Sequence, residues 1–173
     1  IRFCDWSSDV CSSDLGRHGL GGEWGHNILE QDGIDCYCGK RGCIEQVISG
    51  PALEQFYYNK TEKKLSLSSI LQLHNAGDDN HATATIERLL ENYGRAISIL
   101  VNIIDPDLIV IGGGVGNIDI LYSDGYERIK KYVFNNGRLT TPICKPLLGD
   151  SAGVYGAALL WQRLVAQPVH IIN

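Results

Sequence analysis

The sequence predicts an α/β fold, and three observations support that prediction. A long amphipathic helix pattern in the middle of the chain is followed by a short β-branched run that ends in glycines. Helical and strand-like patterns then alternate further along the chain, which is the order typical of α/β folds. The 173 residues are 44% hydrophobic, which is enough to bury a core and excludes a disordered chain.

The first half of the chain predicts a loop followed by helices. Residues 16–50 are rich in glycine and cysteine and too interrupted for a long helix. Ala52–Asn75 has a helical pattern with a polar break at Asn59–Lys64. Ala82–Ile104 is the clearest helix, because apolar residues recur every three or four positions until Asp105-Pro106 ends the pattern.

The second half predicts two strands and two further helices. Leu108–Ile111 is a short apolar run typical of a strand buried on both faces of a parallel sheet. Asp124–Phe134 is expected to form a helix and Pro142–Leu148 a second strand, on which Cys144 would be a buried, inert thiol. Gly153–Leu164 contains several small residues and is expected to be a tightly packed closing helix.

The amino-terminal segment differs from the rest. Residues 1–15 repeat a Cys/Ser/Asp pattern, and they lack the basic start and apolar centre of a signal peptide. They resemble the translation of a sequencing adapter, so we expect a non-native segment at 1–15 and one native domain at 16–173. A genuine Ser-rich arm is the alternative. The chain has no methionine, even at position 1, which suggests a fragment of a longer protein.

Charge and hydropathy argue against two classes of partner. The chain has 15 Lys+Arg against 20 Asp+Glu, and its net charge of -5 disfavours binding to the phosphate backbone of nucleic acids. No apolar run approaches the roughly 18 residues of a membrane span. Since no secretion signal is visible, the expected location is the reducing cytoplasm.

One histidine and three cysteines predict a structural zinc site. The four residues are His26, Cys36, Cys38 and Cys43. Three thiolates and one imidazole can close a tetrahedron around zinc, and Gly39 and Gly42 allow the tight turn that this requires. A disulfide is the alternative, but Cys36 and Cys38 are too close to bridge comfortably, and three cysteines leave one unpaired.

Two acids near this cluster are candidate ligand-binding residues. Glu23 precedes His26 by three positions in a glycine-rich loop, and Glu45 follows Cys43 by two. Their carboxylates could accept hydrogen bonds from the hydroxyl groups of a small polar ligand. Composition alone favours the alternative, which is two solvated acids.

Three consecutive glycines follow the first predicted strand. Gly112, Gly113 and Gly114 lie at its carboxyl end, where α/β folds bind ligands, and they would let a nucleotide approach the backbone closely. The segment is not the dinucleotide-binding fingerprint, because position 117 is Asn, and the chain has no P-loop. A plain tight turn is the alternative.

Four segments, taken in order, resemble the carboxyl-terminal half of a sugar kinase of the ROK family (repressor, open reading frame, kinase). They are GGEWGHN, CYCGKRGCIEQVISG, VNIIDPDLIVIGGGVGN and GDSAGVYGAALLW, and they lie between Gly16 and about Trp161. The first two are most similar to bacterial fructokinases with manno(fructo)kinase character. Glucokinases and N-acetylglucosamine kinases are close relatives and stay as alternatives.

The resemblance implies an actin-like, ribonuclease H-like ATPase fold, of which this chain would be the carboxyl-terminal lobe. Sugar and Mg-ATP would meet in a cleft between two lobes. A structural zinc on the His/Cys cluster would fix the loop that carries Glu23 and Glu45 as sugar ligands. His26 would serve both metal and sugar, and Gly112–Gly114 would lie on the adenosine side of the nucleotide. The family also suggests a homodimer.

The family motifs for phosphoryl transfer are missing from this sequence. Neither the Asp-Gly-Thr phosphate loop nor the Asn-Asp-Ala segment with its catalytic aspartate occurs. We therefore assign no catalytic residue, expect that aspartate in a preceding part of a longer parent, and expect this chain to be inactive alone. The parent would be an ATP-dependent hexose kinase, with fructose as the first expected substrate. A ROK repressor with an amino-terminal helix-turn-helix is the alternative.

Overall fold

The computed structural model describes residues 17–18, 20–147, 149 and 154–155. The expected non-native segment at 1–15 lies outside the described residues, as does most of the closing helix expected at Gly153–Leu164. Within that last span only 154–155 are described, and both residues are helical.

Helices dominate the described part of the chain. The α-helices are α1 (Glu45–Ile48), α2 (Gly50–Thr61), α3 (Leu67–Ala76), α4 (Asn80–Ile104) and α5 (Asp124–Lys130). The strands are β1 (Ile109–Val110) and β2 (Ile143–Cys144). Short 3-10 helices lie at Trp24–His26, Gly114–Asn117 and Asp119–Tyr122.

The longest described helix, α4, is bounded by an aspartate at each end. The Asp79 carboxylate accepts hydrogen bonds from the backbone N–H groups of His81 and Ala82, at 2.7 and 3.1 Å. These bonds satisfy donors that have no partner inside the first turn. Asp105 ends the helix with a left-handed φ of 48°. The helix predicted at Ala82–Ile104 is confirmed, with a slightly earlier start set by the cap.

The helical region predicted before α4 consists of two helices separated at the predicted polar break. α2 is capped by Ser49, whose hydroxyl accepts the N–H of Ala52 at 3.3 Å. It ends at Glu62, which has a left-handed φ of 57°. Ser66 caps α3 in the same way.

The two strands pair in parallel, as the sequence predicts for an α/β fold. Ile109 lies opposite Ile143 in the register. The expectation that the first strand is buried on both faces is wrong for the described residues, because Ile109 is buried but Leu108 and Val110 are each 51% exposed. Side chains alternate between the two faces of a strand, and only the face of Ile109 packs on the helices. Cys144, expected to be buried, is exposed for the same reason.

Helix α5 is shorter than the predicted helix at Asp124–Phe134. After Lys130 the backbone turns towards α4 instead of continuing. The Asn102 side chain accepts the N–H of Phe134 at 2.9 Å and donates to the carbonyl of Tyr132 at 3.2 Å. These bonds satisfy backbone groups that a longer helix would have paired internally.

One apolar core joins α2, α3, α4 and α5. Its fully buried members include Leu53, Tyr57, Ile70, Ile86, Leu89, Leu121 and Ile129. Gly94 allows α5 to approach α4 closely, since a Cβ at this position would lie 2.7 Å from the Cβ of Arg128. Among the described helices, none combines the length and apolar character needed to cross a membrane.

Candidate functional site

The four predicted metal ligands come together in the structure. One donor atom from each of His26, Cys36, Cys38 and Cys43 lies within 4.8 Å of the others. The Sγ atoms of Cys38 and Cys43 are 3.6 Å apart, and the Sγ of Cys36 is 3.5 Å from the Nδ1 of His26. Tetrahedral zinc, with bonds of about 2.3 Å to sulfur and about 2.0 Å to nitrogen, needs edges of roughly 3.5–3.8 Å. The donor set fits zinc, and the two short contacts match these edges, while the widest separation in the group, within 4.8 Å, is longer.

We call residues 26–43 the metal loop, and two glycines give it its shape. Gly39 and Gly42 have left-handed φ values of 85° and 68°. A Cβ at Gly42 would lie 1.6 Å from the carbonyl oxygen of Glu30, so no other residue fits there. Backbone bonds of 2.8 Å from Cys36 N–H to the Lys40 carbonyl and 2.9 Å from Gly39 N–H to the Cys36 carbonyl close the turn between the ligands.

The thiols of the metal loop are not disulfide-bonded. Cys36, Cys38 and Cys43 are all free, and a separation of 3.6 Å between sulfurs is far from a covalent bond. Burial and the neighbouring thiols raise the pKa of Cys43 to about 12. The backbone N–H of Lys40 lowers the pKa of Cys38. The disulfide alternative is thereby removed for these three residues.

His26 joins the metal cluster to the polar groups around it. Its Nδ1 faces Cys36 and lies 3.4 Å from a carboxylate oxygen of Glu45. Its Nε2 points the other way and lies 3.7 Å from a carboxylate oxygen of Glu23 and 2.9 Å from the hydroxyl of Tyr37. The structure therefore brings both predicted acids to His26, and it adds Tyr37, which the sequence analysis did not single out.

The two acids occupy different environments. Glu45 is buried at the start of α1, and this burial raises the pKa of its carboxyl group. Glu23 is exposed, with 59% of its side chain accessible. Both acids therefore lie beside His26, one built into the fold and one facing outward.

Two arginines of α4 bind polar groups of the metal loop. Arg88 makes two contacts with the Glu30 carboxylate, at 2.7 and 2.8 Å, and its guanidinium group stacks over the Phe56 ring at 4.7 Å. Arg95 donates to the carbonyl of Leu29 at 3.2 Å. The sequence analysis missed these residues, because partners 58 and 66 positions apart leave no local pattern.

The three predicted glycines lie on a cleft of about 660 Å³. Gly113 has a positive φ of 76°, and a Cβ on Gly112 or Gly114 would have no atom within 4 Å. The opposite wall is formed by the beginnings of α2 and α3, including Ser49 and Ser66. The glycines therefore face open space, where a ligand can approach the backbone.

Helix α1 joins the metal loop to this cleft. Glu45 is its first residue, and Ser49, on the cleft wall, follows its last. The N–H of Ser49 donates to the carbonyl of Glu45 at 3.3 Å. Four residues of helix rise by roughly 6 Å, so the two sites lie at opposite ends of one helical turn.

Comparison of the whole chain with known proteins points to one family. The sequence model of the ROK family matches residues 11–164. An N-acetyl-D-glucosamine kinase of Yersinia enterocolitica is 34% identical over 155 residues, which cover 84% of this chain and 50% of that protein. The chain thus spans about half the length of the curated relatives it matches.

Solved structures show the same likeness. A ROK hexokinase from Thermus thermophilus superposes with a TM-score of 0.75 at 30% identity, over 88% of this chain and 51% of that one. A ROK family glucokinase from Streptomyces griseus, in complex with glucose and AMPPNP, gives 0.70 at 25% identity, over 82% and 51%. A ROK family transcriptional regulator, a homologue of the E. coli MLC protein, gives 0.69 at 29% identity, over 87% and 40%.

Proposed function

Because this chain belongs to the ROK family, we propose that it is the carboxyl-terminal lobe of an ATP-dependent hexose kinase. The observation that carries the proposal is the pairing of two sites across α1. His26 of the metal loop and the acids Glu23 and Glu45 that flank the loop lie at one end, and the glycine-lined cleft lies at the other. A phosphotransferase needs such adjacent sites, because sugar and phosphoryl donor must meet in a fixed geometry.

The proposed sugar side is built from three polar groups on the metal loop and its borders. Glu23 and Glu45 would accept hydrogen bonds from sugar hydroxyls, and His26 would donate one through Nε2. A bound structural zinc would fix the positions of His26 and the cysteines. A rigid frame of this kind suits recognition of a small ligand, because little order is lost on binding.

The proposed nucleotide side is the cleft at the carboxyl end of β1. Gly112–Gly114 would lie against the nucleoside part of Mg-ATP, since bare backbone admits the closest approach. No group of this chain is assigned as the base that takes the proton from the attacking hydroxyl. The proposal therefore gives residues 16–173 the role of binding and orientation, within a homodimeric parent.

The sugar that we place first is fructose, because of the fructokinase-like sequence around the metal loop. The naming of the Yersinia relative as an N-acetyl-D-glucosamine kinase supports that sugar as the main alternative. The glucose-bound relative supports glucose in the same way. All three present ring hydroxyls to acids and histidine, so the same three residues would hold each of them.

A sugar-sensing regulator is the second candidate function. The similarity to a ROK family transcriptional regulator favours it, and such a protein would need the sugar side alone. The open glycine cleft favours the kinase, because it provides space for a nucleotide. Binding of a nucleotide to this chain therefore separates the two candidates.

Calorimetric titration of the zinc-loaded chain tests the proposal. We expect binding of fructose, and separately of AMPPNP with magnesium, and no phosphoryl transfer with ATP and fructose. Glu23→Gln should weaken fructose binding by about tenfold or more, since a hydrogen bond to a charged group is lost. Glucose, mannose and N-acetylglucosamine titrated in parallel would rank the sugars.

A matched control and two contrary outcomes make the titration decisive. Glu62→Gln removes an exposed acid at the end of α2 and should leave fructose binding unchanged. Sugar binding without any nucleotide binding would favour the regulator. Failure of every sugar to bind zinc-loaded protein would contradict the proposed sugar side.

A further inference from the structure

An aromatic side chain stands exposed at the tip of the metal loop. Tyr37 lies between the ligands Cys36 and Cys38 and is 80% exposed, whereas Tyr57 and Tyr93 are buried in the core. A large aromatic residue exposed to this degree adds little to the packing of the fold. Its position instead places a phenol beside the groups of the proposed sugar side.

The Tyr37 hydroxyl is bonded to the nitrogen of His26 that faces away from the metal ligands. The Tyr37 oxygen lies 2.9 Å from Nε2, and the two rings meet edge to face with centroids 5.0 Å apart. Nδ1 lies on the side of Cys36, at 3.5 Å from its sulfur. When a neutral imidazole binds a metal through one nitrogen, the other nitrogen carries the proton. Nε2 is then a donor, and the Tyr37 oxygen is its acceptor.

A sugar hydroxyl that uses this donor must compete with Tyr37. One N–H group makes one good hydrogen bond, and here an acceptor of this chain already occupies it. The Glu23 carboxylate, at 3.7 Å, lies beyond the usual length of a hydrogen bond to the same nitrogen. Tyr37 thus takes the place that the proposed function gives to the substrate.

We propose that Tyr37 is a residue that sets the affinity of the sugar site, because its hydroxyl accepts the Nε2–H of His26 until a sugar hydroxyl displaces it. This inference rests on the proposed function. Ligands with a hydroxyl aligned to Nε2 recover the broken bond, whereas ligands without one lose it. Every ligand that displaces Tyr37 gives up the same bond, so Tyr37 lowers the affinity for all of them by the same factor, and the difference between matched and mismatched sugars comes from the new bond at Nε2.

The test compares Tyr37→Phe with the unchanged chain, both loaded with zinc. Removal of the hydroxyl takes away the competing acceptor and keeps the ring. We expect fructose to bind about two- to tenfold more tightly to the variant, which is the range for one net hydrogen bond. Tyr58→Phe, which removes a phenol hydroxyl from α2, should leave fructose binding unchanged and serves as the control. Metal content measured by mass spectrometry should be equal in all three proteins.

A readout without sugar tests the bond itself. In ¹⁵N-detected NMR of the histidine rings, the Nε2–H signal of His26 should shift in Tyr37→Phe and not in Tyr58→Phe. An unchanged signal would overturn the inference, and so would fructose binding that is unchanged or weaker in Tyr37→Phe. Those results would leave the proposed function standing. Absence of fructose binding to the unchanged chain would overturn both.

Discussion

The metal loop and the helical body, which comprises α2–α5, are built on different principles. The body buries a continuous apolar core around α4. Between its first and last ligand, the metal loop has no α-helix, and isolated bridges link Ile28 to Cys43 and Asp35 to Arg41. A small apolar cluster that includes Leu29 of the loop and the adjacent Ile44 packs against Ala96 of α4.

The difference shows how one short chain can shape a polar loop without extending its apolar core. In the body, many apolar contacts each contribute a little, and the loss of one is shared among neighbours. In the metal loop, two left-handed glycines shape the turn, and four donor atoms would supply most of the remaining order through a bound metal. The body should therefore withstand loss of metal, whereas the loop should not.

The largest expected effect comes from breaking the metal cluster. Cys38→Ala removes an exposed thiol, so it leaves no cavity in the core. Zinc supplies on the order of 10 kcal/mol to small structural sites, which is far more than any single apolar contact. We expect zinc content to fall from about one per chain to near zero. Hydrogen exchange should become fast across 26–43 and stay slow in α4.

Cys144→Ala is the matched control, because it removes an exposed thiol outside the cluster. It should keep zinc content, exchange and melting temperature at the values of the unchanged chain. Cys38→Ala with full zinc content and unchanged exchange in the loop would show that the cluster does not order this segment.

The second-largest expected effect comes from a core substitution in the helical body. Leu89→Ala opens a cavity at a fully buried position of α4 and should lower the free energy of unfolding by about 2–5 kcal/mol. Urea denaturation measures this loss, and zinc content before denaturation should not change. Ile103→Ala on the same helix is the control, since its side chain is 77% exposed, and it should change stability by less than about 0.5 kcal/mol. Loss of zinc from native Leu89→Ala would contradict the independence of the two regions.

The smallest expected effect comes from the ion pair that joins the metal loop to α4. Arg88→Met keeps an apolar stem against Phe56 and removes the ion pair with Glu30. Both partners are only partly buried, so we expect a loss of about 1 kcal/mol, measured by a double-mutant cycle with Glu30→Gln. Arg41 and Asp35 form a far more exposed pair, so the same cycle with Arg41→Met and Asp35→Asn should give a coupling energy near zero. A coupling energy of zero for Arg88 and Glu30 would mean that α4 does not hold the loop through this pair.

The same contrast explains what the sequence could predict. The His/Cys cluster could be predicted because these residue types are rare and their spacing is short, and α4 could be predicted because its apolar pattern extends over many residues. The end of α5 was missed because Asn102, on another helix, takes over the backbone bonds. No sequence pattern marks Tyr37, since its proposed role depends on the orientation of the His26 ring.

The single turn of α1 has a thermodynamic consequence. A helix of four residues has no internal hinge, so a shift at Glu45 is also a shift at Ser49. A ligand in the glycine cleft that prefers one position of this turn must then change the affinity of the loop for its own ligand. Linkage requires the reverse effect to have the same factor, so each site would report the occupancy of the other.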